Sequence, residues 1–536
     1  MNRLRGWLTN LVDVAAGLRA MQRAGIARHS PGSLLCAAKA LHAFGMSPVG
    51  LAVANSILHG ERDFLHDELG SVTYGEFHRR TDALGWALRE HGLLEGDRVG
   101  VMCRNHRYFL EAIVAFAKIG VDTVLLNTDF AGRRTIEVAH NEKLRAIVAD
   151  DEFIEALSGM STPCQLIEAW PGRRLEEFIA NGRGQRLSAP TRRAVHVILT
   201  SGTTGEAVAL PRVALERQVG TVAAILERVP MHAGHPYYIA APLFHAWGFG
   251  NLTLAWILGA TVVVRSKFDP SEALSLIDED RVRSVAIVPV MAQRLLDLPS
   301  EVRRAHDTSS VTNVQLSGSV MTAGLANRFQ EEFGEILFNV YGSTEVGGIA
   351  YAVPADLYDE PATAGMPLRG TEVVVLDSTG RRLAAGATGN VFVRRRWRIY
   401  GRTRNGGITS TGDVGYLDSH GRLFITGRSD EMIVSGGENV YPSEVEKLIA
   451  RHPEVIEAAV SGVSDPEFGQ RLNAWVVRRE DSSLTAAEVQ MYVRANLARY
   501  KVPRDIAFVN SLPRNSAGKV VKRLLPTPEY ALDPPP

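Results

Sequence analysis

The chain has 536 residues, which at ~100–200 residues per domain corresponds to roughly three to four compact units. Hydrophobic residues make up 45% and charged residues 22%, enough apolar material for sizeable cores, which excludes wholesale disorder. Lys plus Arg is 59 and Asp plus Glu is 59, so no global basic field gathers nucleic acid, and any bound anion must be held locally.

Cys36, Cys103 and Cys164 are too few and too far apart for a disulfide framework or a zinc cluster, which fits a reducing cytoplasmic compartment. Arg3 and Arg5 precede an apolar stretch that Asp13 interrupts, and no small-residue cleavage site follows, so a signal peptide is not expected. Over residues 7–21, Trp7, Leu11, Val14, Leu18 and Met21 share one helical stripe, with Arg19 and Arg23 nearby. That pattern fits a helix packed on the body or one making weak contact with a membrane surface.

From Val72 the pattern becomes αβ. Thr73 and Glu76 form a capping box ahead of a helix carrying Phe77, Leu84 and Leu88, followed by a buried strand over 98–102. Similar apolar runs recur at 146–149, 195–199, 261–264 and 285–288. Short apolar runs separated by helical patterns predict mostly parallel sheets with helices on both faces. No charge lies between His245 and Arg265, but Gly248, Gly250, Asn251 and Gly259 interrupt the stretch, so it reads as a buried strand, loop and helix rather than a span. Beyond about residue 368 the texture turns to β, at 371–376 and 389–393. A final segment carries capping boxes from Ser443 to Glu446 and from Thr485 to Glu488. The predicted fold is α/β: a large body of mostly parallel sheets with a small β-barrel-like subdomain, then a small mobile α+β C-terminal domain.

The strongest local signal is Leu199-Thr-Ser-Gly-Thr-Thr-Gly205, read as lying between a strand and a helix. Two glycines allow close backbone approach, and four hydroxyls with exposed amides offer donors, the composition of a phosphate cradle; a polar loop capping a helix has the same composition. Asn339-Val-Tyr-Gly-Ser-Thr-Glu345 supplies a tight turn, an aromatic face and a carboxylate able to hold a cation. Thr411-Gly-Asp413 offers an acid for paired hydroxyls. Gly427-Arg-Ser-Asp430, Ser435-Gly-Gly-Glu-Asn-Val-Tyr-Pro442 and Leu512-Pro-Arg-Asn-Ser-Ala-Gly-Lys519 complete the set, the last placing a lysine on a loop expected to be mobile.

In this order and spacing the segments resemble the adenylate-forming superfamily, which contains acyl-CoA synthetases, aryl-acid ligases, nonribosomal peptide adenylation domains and luciferases. The resemblance runs from about residue 50 to 525. Its texture is closest to bacterial fatty-acyl-CoA synthetases through 126–132, 242–248, 452–455 and 468–470. The resemblance implies an N-terminal helical extension over 1–50, an AMP-binding domain over 51–428, a mobile C-terminal domain over 429–525 and a tail over 526–536.

It also implies roles. Thr200, Ser201, Gly202, Thr203, Thr204 and Gly205 would hold the β- and γ-phosphates of ATP, and Glu345 would bind Mg²⁺ with Thr204 as second ligand. Ser317, Gly318, Ser319 and Tyr341, with Gly342, Ser343 and Thr344, would line the adenine. Asp413 would take the ribose hydroxyls and Arg428 a ribose or phosphate contact. Asp430 would be the hinge. Lys519 would bridge the substrate carboxylate and the α-phosphate. His245 and Gly248 would lie beside the acyl pocket, and Gly437 beside the channel for the thiol of CoA. A carboxylate attacking a phosphate brings two anions together, so a positioned cation, a metal and oriented amides suit that step better than a covalent nucleophile. A homodimer is common among such proteins.

The chain departs from the family at two places. The phosphate loop normally continues Gly-x-Pro-Lys-Gly, whereas Gly205 is followed by Glu206-Ala-Val-Ala209, so Val208 stands where the loop lysine is expected. A hydrogen bond to a charged group is worth roughly 1.5–3 kcal/mol, so the loss corresponds to about ten- to a hundredfold in ATP handling unless Arg212 reaches back. Ser317-Gly-Ser319 also replaces the common Gly-Gly-Ala. These changes leave three readings: a ligase converting a carboxylic acid to an acyl-AMP and then a CoA thioester; an ATP-dependent diazotase passing activated nitrite to an aromatic amine; and a non-catalytic nucleotide-binding homologue.

Overall fold

The computed structural model describes residues 19, 22–25, 31–45, 47–129, 132–158, 164–199, 209–211, 219–343, 346–395, 403–404, 407–429, 431–435, 438–465, 469–516 and 518–526. The apolar stripe over 7–21 lies outside them. The chain divides into two compact units, Met1–Gln315 and Leu316–Pro536. Length alone suggests more, but multistranded α/β sheets organise more chain around one core.

The first unit contains β1 (Asp63–Asp67), β2 (Gly70–Thr73), β3 (Arg98–Met102), β4 (Asp122–Leu125), β5 (Ala146–Ala149), β6 (Gln165–Glu168), β7 (His196–Leu199), β8 (Ala209–Pro211), β9 (Tyr237–Ile239), β10 (Val262–Val263) and β11 (Ser284–Ile287), and the division falls within β12 (Asn313–Leu316). One sheet runs β6-β5-β3-β4-β7-β8. Its first five strands are parallel, and β8 returns antiparallel to β7. In another sheet, β11, β9, β10 and β1 are parallel neighbours and β2 closes antiparallel on β1. The strands read from sequence as short apolar runs are buried along nearly their whole length, as helices on the faces require. The 261–264 run contracts to the two residues of β10.

Helix α1 (Tyr74–Glu90) starts where Thr73 predicts, with the Glu76 N–H donating to Thr73 Oγ1 at 3.1 Å. It buries Phe77, Leu84 and Leu88. Helix α2 (Arg107–Lys118) is apolar nearly all round and takes two charges into the core with it. Glu111, fully buried, accepts from Arg80 at 2.5 Å. Lys118 donates to Asp82 at 2.6 Å and to Thr81 at 2.8 Å. The uncharged stretch between His245 and Arg265 resolves into helix α3 (Ala246–Leu258), stopped by Gly259 at φ 56°, and then β10. Among the described residues no helix is long and apolar enough to cross a membrane.

In the second unit, β13 (Leu337–Ser343), β14 (Gly347–Ala352) and β15 (Met366–Pro367) form an antiparallel run. The β-rich stretch forms a sheet β16 (Thr371–Leu376)-β17 (Gly389–Arg395)-β19 (Ile408–Leu417)-β18 (Thr403–Arg404), with β20 (Leu423–Arg428) also on β19. The C-terminal part holds β21 (Ile433–Ser435), β22 (Glu438–Val440), β23 (Val455–Asp465), β24 (Gly469–Arg478) and β25 (Asp505–Phe508) in one sheet. Helices α4 (Pro442–Ile449) and α5 (Ala486–Asn496) bury Val445, Ile449, Val489 and Val493 with the apolar side chains of that sheet.

The Thr485–Glu488 capping box is present in full. The expected box from Ser443 to Glu446 is not. Pro442 occupies the first helical position, where its missing N–H costs nothing, so Tyr441 becomes the cap residue. Ser443 Oγ donates instead to the Thr426 carbonyl, and Glu446 accepts the Val460 N–H at 2.8 Å.

Candidate active site

Thr200, Ser201, Gly202, Thr203, Thr204, Gly205, Val208, Arg212, Thr344, Glu345, Asp430 and Gly437 lie outside the described residues. The elements that flank them are described. Leu199 pairs with Ala209 across β7 and β8, so residues 200–208 link two antiparallel strands. The expected strand-to-helix passage is therefore corrected: β8 intervenes before the helix at Val219–Arg228, and no helix N-terminus directly follows the loop.

Elsewhere in the first unit, the segment ahead of His245 is tethered by an asparagine that sequence reasoning missed. Buried Asn105 accepts the Leu243 N–H at 2.9 Å and donates to the Ala241 carbonyl at 3.0 Å. A single amide thus fixes the backbone on both sides of Pro242, and nothing in its local sequence marks it. His245 caps α3, half-buried, with its ring 4.5 Å from that of Phe244. Gly248 has a steric role: a β-carbon there would lie 2.2 Å from the Pro242 carbonyl oxygen. The helix closes on its own entry loop only because that position has no side chain.

The second unit brings three predicted residues together. β19 and β20 pair Asp413 with Arg428 in register, and β13 supplies Tyr341. The Tyr341 hydroxyl donates to Asp413 Oδ2 at 2.5 Å, while Arg428 Nη1 lies 3.5 Å from Asp413 Oδ1. Burial and the neighbouring carboxylate push the Tyr341 phenol well above its ordinary range, so it remains a donor. Thr411 fixes the acid: its Oγ1 accepts the Asp413 N–H at 3.1 Å and donates to the Val391 carbonyl at 3.0 Å. The spacing of Thr411 and Asp413, two apart on one strand, was the available signal for that role. Gly412 has φ 78° and lies under the Arg428 guanidinium. The Asp413 carboxylate, 12% exposed, is thus held between a phenol and a guanidinium, an acceptor suited to a pair of hydroxyls.

Ser317, Gly318 and Ser319 follow β12 directly, half-exposed, with Gly318 at φ 92°. Gly342 and Ser343 end β13, and a β-carbon on Gly342 would lie 2.4 Å from the Gly347 carbonyl oxygen. The two strands of this hairpin are therefore closely packed at Gly342. Lys519 is exposed on a turn tied by backbone bonds. Asn515 N–H donates to the Lys519 carbonyl at 2.9 Å and Gly518 N–H to the Asn515 carbonyl at 2.8 Å, while Arg514 bridges Val520.

The sequence model of AMP-binding enzymes matches residues 55–400, and that of the AMP-binding enzyme C-terminal domain matches residues 444–519. The chain belongs to the AMP-binding enzyme family. Within that family it is 28% identical to a 2-succinylbenzoate–CoA ligase of Geobacillus kaustophilus, over 88% of this chain and 97% of that protein. It is 29% identical to a feruloyl-CoA synthase of an Amycolatopsis species, over 84% of this chain and 93% of that protein. The solved structure of o-succinylbenzoate CoA synthetase from Bacillus subtilis, in complex with its acyl-adenylate intermediate, superposes with a TM-score of 0.76 at 25% identity, covering 88% of this chain and 97% of that one. As an AMP-binding enzyme the chain has the α/β body and small C-terminal domain that its sequence predicts.

Proposed function

We propose that this AMP-binding enzyme is an acid–thiol ligase that consumes ATP to activate a carboxylic acid and passes the acyl group to CoA. A carboxylate oxygen attacks the α-phosphorus, its bond to pyrophosphate breaks, and an acyl-AMP forms. The thiolate of CoA then attacks the acyl carbon and AMP leaves. The observation that carries this reading is the match to both family segments in order, with relatives whose names are those of CoA ligases.

The residue roles follow the chemistry each group can perform. Asp413 accepts the ribose hydroxyls, and Tyr341 and Arg428 hold its carboxylate in place. Ser317, Gly318 and Ser319, with Gly342, Ser343 and Thr344, line the adenine, and Thr200 to Gly205 hold the terminal phosphates. Glu345 and Thr204 would hold a Mg²⁺ ion, which supplies charge neutralisation at the phosphates. Lys519 approaches the substrate carboxylate and α-phosphate, adding the cation that two meeting anions require. Residues 429–525 then turn about Asp430, withdrawing Lys519 and bringing Gly437 to the thiol path. His245 and Gly248 shape the acyl side. The body spans residues 51–428, and the enzyme works in the cytoplasm. Acid-dependent exchange of labelled pyrophosphate into ATP tests the first half-reaction: exchange with at least one carboxylic acid is expected, and exchange that ignores every acid would overturn the reading.

A further inference from the structure

The residues that precede the family match, 1–54, are charged unlike the rest of the chain. Arg3, Arg5, Arg19, Arg23, Arg28 and Lys39 stand against Asp13 alone, six basic residues to one acidic, a net charge of +5 in a chain whose 59 basic and 59 acidic residues cancel. Within this segment the helix Pro31–Phe44 holds no acidic residue. It turns Ala37 and Ala40 inward. Leu41 packs towards Gly50 on the next helix, Pro48–His59, where an added β-carbon would lie 3.5 Å from Leu41 Cδ2, so the opposite side is held outward. A helix side that faces water is ordinarily polar and charged. Here Leu34 is 40% and Leu35 59% exposed, with Cys36, Ala38 and Ala43 exposed beside them. Among the described side chains of this helix, Lys39 and His42 are the exposed polar ones. At 3.6 residues per turn, Leu34, Ala38, His42, Leu35 and Lys39 fall in that order within an arc of about 140°.

A single exposed leucine needs no account, but two adjacent ones on an acid-free face of a basic segment form a surface whose apolar area is regained only on contact. Charge decides what the contact is. A second copy of the same surface would set +5 against +5, which self-repulsion opposes. Nucleic acid would meet the cations and leave the leucines in water. The headgroup layer of an anionic bilayer meets both: its phosphates face the cations, and the boundary with the acyl chains receives the leucines, while the Lys39 stem lies along that boundary with its ammonium among the headgroups. The segment lies ahead of the residues matched to the AMP-binding enzyme model, so this surface is an addition to the family's body.

We propose that the exposed face of helix Pro31–Phe44, carried by the basic N-terminal segment, docks on the surface of an anionic phospholipid bilayer. Sedimentation of the purified full-length protein with sucrose-loaded vesicles tests it. Wild type should partition onto equimolar phosphatidylglycerol–phosphatidylcholine vesicles about tenfold or more above its partitioning onto phosphatidylcholine alone at about 0.1 M salt, and that excess should disappear by about 1 M salt, where charges are screened within about 3 Å. L34Q/L35Q should lower partitioning onto the anionic vesicles about tenfold or more, and K39Q about fivefold. Glutamine forms helix about as well as leucine, so L34Q/L35Q should keep the melting temperature of wild type if the face is free in solution. No excess binding to anionic vesicles, or equal binding by wild type and L34Q/L35Q, would overturn the proposal. A melting temperature lowered by L34Q/L35Q would show the face covered by the chain itself, and a wild-type dimer in light scattering that L34Q/L35Q dissociates would show it covered by a second copy; either result overturns bilayer docking. These readouts need no turnover, so they stand or fall apart from the ligase reading.

Discussion

Replacing Asp413 by Asn keeps the side chain's shape while removing its charge and converting one acceptor oxygen into a donor. In the structure Asp413 receives the Tyr341 hydroxyl at 2.5 Å on one oxygen and faces Arg428 at 3.5 Å with the other. A hydrogen bond to a charged group is worth roughly 1.5–3 kcal/mol and a neutral one roughly 0.5–1.5 kcal/mol, so each ribose hydroxyl loses about 1–1.5 kcal/mol on the change. Two hydroxyls give about 2–3 kcal/mol, which at about 1.4 kcal/mol per decade is roughly a 30- to 150-fold weaker dissociation constant for AMP. Arg428 is 39% exposed, so breaking its pair costs stability only about 1 kcal/mol or less. Isothermal titration of D413N with AMP, alongside urea unfolding, separates the two effects. An AMP affinity within about threefold of wild type would refute the assignment of Asp413 to the ribose.

Lys519→Ala should lower the rate of acid-dependent pyrophosphate exchange by about a hundredfold or more while the dissociation constant for ATP stays within about threefold, because the lysine acts where charge meets in the transition state; stopped-flow exchange with parallel ATP titration checks both. Arg80→Met should cost about 3–5 kcal/mol in urea unfolding, since it strands the fully buried Glu111 carboxylate, and the double variant R80M/E111L should recover most of that loss. Burial pulls the Lys118 pKa down to about 8 against the attraction of Asp82. Between that value and the ordinary lysine range the unfolded chain binds the proton that the folded protein has released, so wild-type stability should rise relative to Lys118→Met as pH is raised from 8 to 10; a difference that stays flat or falls would show that Lys118 remains protonated. Gly248→Ala places a methyl against the Pro242 carbonyl and should lower stability by about 1–3 kcal/mol in the same assay.

Buried strands were the most legible part of the sequence. Runs such as Ala146-Ile-Val-Ala149 are short, apolar and bounded by helical patterns, and both faces of β5 are covered, so composition and burial agree. The end of β10 was less legible because the pairing partner, not propensity, decides where a short strand stops. The start of α4 was misjudged because Ser443 and Glu446 have capping-box spacing, yet Pro442 claims the first helical position and both polar groups find tertiary partners. In the candidate site, Asp413, Tyr341 and Arg428 were legible as separate motifs, while their convergence depends on strand pairing between distant segments. Asn105 was not legible. An asparagine becomes a clamp only when a remote loop folds over it.

Acid activation with transfer to CoA is tested most directly by mass spectrometry of the full reaction. Wild-type protein is given ATP, Mg²⁺ and CoA with aliphatic, aryl and dicarboxylic acids, K519A serves as the control, and a parallel arm contains nitrite and an aromatic amine. The account predicts that AMP and one acyl-CoA accumulate in equal amounts in an acid-containing arm and are absent with K519A. AMP formed only in the nitrite arm, or nucleotide bound without AMP release in any arm, would contradict it.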